Sequence, residues 1–72
     1  MRWECRHSSA EMLYLEVRGD EVLEWFDHHP DEPTRWSFAE VLDGDLDAKV
    51  AMLFGEEALA ELKAEVIARG RA

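Results

Sequence analysis

The hydrophobic period changes once along this chain, and two prolines, Pro30 and Pro33, mark the change. Before them apolar residues alternate with polar ones. After them apolar residues recur at helical spacing. Alternation belongs to a half-buried strand and the longer period to an amphipathic helix. Both prolines lack a backbone donor and hold φ fixed. They also disfavour helix at His29 and Glu32, the residues before them. The 72 residues suffice for one domain. The expectation is a single unit over residues 1–72, with a strand half (1–27), a connector (28–36) and a helical half (37–70).

In the first half, Trp3, Cys5 and His7 fall on one side of an extended segment and Arg2, Glu4 and Arg6 on the other. Ser8 and Ser9 supply a turn. Residues 11–27 read as a hairpin about Arg18-Gly19-Asp20-Glu21, with Gly19 providing the positive φ of a tight turn. A three-residue loop pairs Val17 with Leu23 and Leu15 with Trp25, and one face is then wholly apolar. A two-residue loop puts Glu24 on that face. Burying an unpaired carboxylate is costly, so the sequence favours the three-residue loop. Ser8 and Glu11 also have capping-box spacing, but Gly19 and Asp20 in mid-run argue against one long helix.

In the second half, Ser37 with Glu40 forms a capping box that opens a short helix through Phe38, Val41 and Leu42. Asp43-Gly44-Asp45 ends it. A helix from about Leu46 to Phe54 follows, with Leu46, Val50 and Leu53 on one stripe, its acidic start serving as cap. Gly55 stops it. The last helix runs from about Glu56 to Arg69, with Leu59, Leu62 and Val66 as its apolar stripe, Ala58 and Ile67 beside it, and Gly70 as C-cap. Arg69 and Arg71 suit the negative end of its dipole. The fold class is therefore α+β: a small antiparallel sheet of two or three strands packed against about three helices.

Charge is the strongest global signal. Seventeen Asp and Glu oppose eight Lys and Arg, a formal net charge of −9. Such a surface repels nucleic acid and anionic membranes and attracts basic proteins. The aromatic residues, three of them Trp, argue against disorder. One cysteine, Cys5, excludes an internal disulfide. The first residues alternate and lack a signal-peptide core, and no apolar run approaches a bilayer span, so the expected location is the cytoplasm.

Several motifs fail a spacing check. Asp43-Gly44-Asp45-Leu46-Asp47 resembles the opening of a calcium loop, but Ala48 and Phe54 stand where a glycine and a bidentate Glu are needed. Arg18-Gly19-Asp20 reads as a turn rather than an adhesion tripeptide. No phosphate loop or nucleophile context appears, and no carboxylate has an evidently apolar setting. The chain is not read as an enzyme, and no cofactor is expected. Cys5, His7, His28 and His29, with Asp27 and Asp31 near, are the metal-ligand candidates, and adjacent histidines at a strand end point apart.

Glu57, Glu61 and Glu65 recur every four residues and form a ridge, about 6 Å between neighbours along a helix. Glu40, Asp43, Asp45, Asp47 and Glu56 make a second acidic cluster. Ordered carboxylates imitate a phosphate backbone. The leading expectation is an inhibitor or regulator, of the kind phages and mobile elements encode, that occupies the basic groove of a nucleic-acid-handling protein. Its partner-binding residues are Glu40, Asp43, Asp45, Asp47, Glu57, Glu61 and Glu65, with Trp36 as apolar anchor. It is expected to bind neither nucleic acid nor membrane directly, and to be a monomer or homodimer. The alternatives are an assembly subunit binding through its amphipathic last helix, and a small metal-binding domain.

Overall fold

The computed structural model describes residues 1–70. Seven elements follow in order: β1 (Arg2–Ser8), β2 (Glu11–Arg18), β3 (Glu21–Phe26), β4 (Thr34–Ser37), α1 (Phe38–Leu42), α2 (Asp47–Phe54) and α3 (Glu56–Gly70). The strands form one antiparallel meander in the order β1-β2-β3-β4. The α+β class holds, with four strands rather than two or three. The additional strand lies at the end of the expected connector. Beyond Pro33 the chain is extended, and Thr34, Arg35, Trp36 and Ser37 pair with Glu24, Leu23, Val22 and Glu21.

The hairpin register also differs from expectation. Arg18 pairs with Glu21, Val17 with Val22, Leu15 with Glu24 and Leu13 with Phe26. The loop is thus two residues, Gly19 and Asp20, with Gly19 at φ +63° in the first central position. That is the glycine position of a type II′ turn, whose twist matches the strands it joins. Glu24 consequently faces the core and is only 6% exposed. The penalty that argued against this register is offset from far along the chain: the Lys49 ammonium lies 2.6 Å from Glu24 Oε1.

All three helices cover one face of the sheet. Leu15, Val17 and Val22 from the strands pack with Val41, Leu46, Val50, Leu62 and Val66 from the helical half. Each such side chain, fully buried, contributes roughly 1.5–3 kcal/mol. Trp3, Trp36, Phe38, Phe54 and Leu59 pack partly buried around this centre. On α3 the most buried row is Ala58, Leu62 and Val66 rather than Leu59, Leu62 and Val66, and Ile67 is exposed.

The capping box at Ser37 and Glu40 is formed in both directions. Gly55 ends α2 at φ +99°. The acidic start of α2 does not cap it, because Leu46 holds the cap position without a side-chain bond and the Asp47 carboxylate turns to Lys63 instead, at 2.9 Å. Gly70 lies within α3 rather than after it, and Arg71 lies outside the described residues.

Candidate functional site

Covering one sheet face with helices sorts the charges. On the open face the cross-strand rows are Arg2–Glu16–Leu23–Arg35, Glu4–Tyr14–Trp25, Arg18–Glu21–Ser37 and Arg6–Met12. Four of the eight cationic residues lie there with three of the seventeen acids, whereas the described helical half, residues 38–70, carries eight acids and three bases. Three of the four arginines on the open face are engaged within it. Tyr14 and Trp25 stack at 5.6 Å, Arg2 lies over Tyr14 and Arg18 over Trp25. Arg18 also pairs with Glu16, and Arg35 with Glu21 at 2.5 Å. Leu23 is 2% exposed without a helix above it, so its neighbours on that face supply the cover.

The seven acids expected to bind a partner fall into three groups. Asp47 and Glu65 are neutralised by Lys63 and Arg69. Glu40 closes the capping box, and Glu61 accepts a hydrogen bond from the Trp3 indole at 3.0 Å; neither faces a cation among the described residues. Asp43, Asp45 and Glu57 are exposed and have no side-chain partner among the described residues. The ridge on α3 therefore exists as a row, but only its first member is unengaged. The Asp47–Lys63 contact brings the loop bearing Asp43 and Asp45 alongside the middle of α3, six residues or about 9 Å along the axis from Glu57. One Asp47 oxygen, Oδ1, is buried without a hydrogen-bond partner.

Trp36 is half-buried against the core, and the Lys49 ammonium sits 5.1 Å from its ring centroid. That pairing binds β4 to α2. The tryptophan on the helix-free face is Trp25, which no motif marked; only the correct register places it beside Tyr14.

The four metal-ligand candidates are not gathered. Cys5 sits opposite Leu13 on the core side, its thiol raised above the ordinary 9.0 by burial and then by the Glu24 charge. The β1–β2 register shifts at His7, between Arg6 and Ser8, and its ring meets the edge of Phe26 at 4.9 Å. His28 alone of the four joins a ligand cluster among the described residues, with Glu11 and Asp27. Its Nε2 stands 2.9 Å from the Ala10 carbonyl oxygen. That contact and then the Asp27 charge raise the imidazole above its ordinary 6.5; desolvation opposes them and Glu11 adds slightly. The signal for Glu11 lay in the turn. Counting outward from Arg18 and Glu21, one residue per strand at each step, sets Glu11 level with His28.

No helix among the described residues is long and apolar enough to cross a membrane, and no pocket opens among them. Comparison with protein families, with curated proteins and with solved structures finds no match to this chain.

Proposed function

We propose that this is a non-catalytic binding protein whose acidic helical side docks on a basic protein surface and so blocks or regulates the partner. The observation that carries this reading is charge segregation across the sheet: the open face carries four bases and three acids, and the described helical half carries eight acids and three bases. A rigid core holds those carboxylates, so their order cost is met on folding rather than on binding. Asp43, Asp45 and Glu57 are the principal contacts, since they have no side-chain partner among the described residues. Glu61 and Glu40 add fixed charge. Asp47 and Glu65 contribute less, because each already faces a cation. The groove of a nucleic-acid-binding protein is the natural target, as it accepts spaced anions. The apolar row of α3 belongs to the core of this chain, with Leu62 0% and Val66 1% exposed, and this weighs against assembly through that stripe.

The test is capture of partners from source cells at low and high salt with three proteins: the native chain, an Asp43→Lys/Asp45→Lys/Glu57→Lys variant, and an Arg2→Gln/Arg6→Gln variant. The last changes net charge on the open face only. A basic protein released by salt and by the first variant, but kept by the second, supports the reading. Retention by the acidic-side variant, with circular dichroism unchanged, overturns it.

A further inference from the structure

The sheet end opposite the Gly19 turn carries a second cluster, built of different chemistry. Glu11 opens β2, and Asp27 and His28 follow β3. Antiparallel pairing brings them to one end, where the Asp27 amide still donates to the Met12 carbonyl at 3.1 Å. One ligand atom each from Glu11, Asp27 and His28 lies within 4.8 Å of the others. His28 Nε2–H donates to the Ala10 carbonyl oxygen at 2.9 Å, and Asp27 Oδ1 is 3.6 Å from the same nitrogen. In the turn that bears Ala10, Arg6 engages the neighbouring Ser9 carbonyl at 3.4 Å.

Two atoms bound at about 2.1 Å to one ion stand about 3.0 Å apart in octahedral geometry and about 3.4 Å apart in tetrahedral geometry. The Asp27–His28 distance of 3.6 Å is close to the tetrahedral value, and the imidazole makes this cluster more than a group of carboxylates. We propose that Glu11, Asp27 and His28 form a surface site for a first-row divalent metal ion. One imidazole nitrogen with oxygen donors suits zinc, nickel or cobalt in that series. Two carboxylates balance the dication. The ligating ring is neutral, with its proton on Nδ1 and the Nε2 lone pair directed at the ion, so the Nε2–H bond to the Ala10 carbonyl gives way when metal binds; a protonated ring releases one proton on binding. Water completes the coordination, since His28 and Asp27 are exposed.

The test is isothermal titration of the full chain with zinc chloride at pH 7.5, with histidine ring signals followed by NMR in parallel. Expected are saturable one-to-one binding, shifts of the His28 ring signals, and at least tenfold weaker binding in both His28→Ala and Glu11→Gln. His29→Ala and Cys5→Ser should bind as the native chain does. Because the ring signals are read in the native chain, a variant that folds poorly does not decide the matter. Absence of saturable binding up to millimolar zinc overturns the site. So does binding that survives His28→Ala, or that disappears in a Cys5→Ser variant whose circular dichroism matches the native chain.

Discussion

The Glu24–Lys49 pair predicts an asymmetry in stability. Glu24 has a side chain 7% exposed, whereas that of Lys49 is 42% exposed, with 2.6 Å between the charges. Removing the cation from a fully buried pair costs about 3–5 kcal/mol, because a charge is left in a low dielectric. Water reaches the Lys49 end here, which reduces the expected loss for Lys49→Met to about 2 kcal/mol. Methionine retains apolar packing on Trp36, so the loss reports mainly the stranded carboxylate. Glu24→Gln leaves a cation that water solvates, and the expected cost is under about 1 kcal/mol. The double change Glu24→Leu with Lys49→Met removes both charges and should return to within about 1 kcal/mol of the native chain. Urea unfolding followed by tryptophan fluorescence reads these values. With a slope near 1 kcal/mol per molar urea, Lys49→Met should move the midpoint down by about 2 M. A Lys49→Met midpoint within 0.5 M or so of native, or a double variant as unstable as Lys49→Met, would refute the reasoning.

Leu62 is 0% exposed at the centre of the core, so Leu62→Ala should cost about 3 kcal/mol and lower the melting temperature by about 15 °C; a calorimetric shift under about 4 °C would contradict its placement. A Cβ at Gly19 meets nothing within 4 Å, so Gly19→Ala should lose only the cost of φ +63°, about 1 kcal/mol, measured by the urea midpoint. The Cys5 thiol should react with iodoacetamide at pH 8 more slowly than free cysteine, and urea should restore the rate, because burial and the Glu24 charge raise its pKa. The sign for stability follows from the same shift. Its folded value lies above the unfolded one, so this group's contribution is intact below the unfolded value and is lost as pH rises through the folded one.

Local signals carried the element types, and long-range partners set what they did not. Alternation marked β1 to β3, the Ser37–Glu40 box marked the start of α1, and Gly55 marked the end of α2, because each works over a few residues. β4 is four residues long and follows two prolines, so its extended state depends on pairing with β3 rather than on its own pattern. The cost of burying Glu24, taken alone, argues against the observed register. The counter-ion of Glu24 is 25 residues away on α2, and no local argument includes it. That one step also hid the Glu11–Asp27–His28 cluster: in the three-residue register Glu11 faces His29, and in the observed one it is level with His28. The acidic ridge on α3 was legible from spacing, but the engagement of Glu61 by Trp3 spans 58 residues and was not.

The same alternation that forms the sheet also determines where its charge goes. In β1 the residues between Trp3 and Cys5 and on either side of them are charged, so seating those two toward the helices turns Arg2, Glu4 and Arg6 outward. β2 and β4 repeat this with Arg18 and Arg35. Arginine suits that face because its planar group lies on the Tyr14 and Trp25 rings while remaining hydrated. Arg2, Arg18 and Arg35 thereby engage aromatic rings and Glu16 and Glu21 on their own face, while the helical half packs on the other side of the sheet. A partner approaching the helices meets eight acids against three bases among the described residues, whereas one approaching the open sheet meets three acids against four bases.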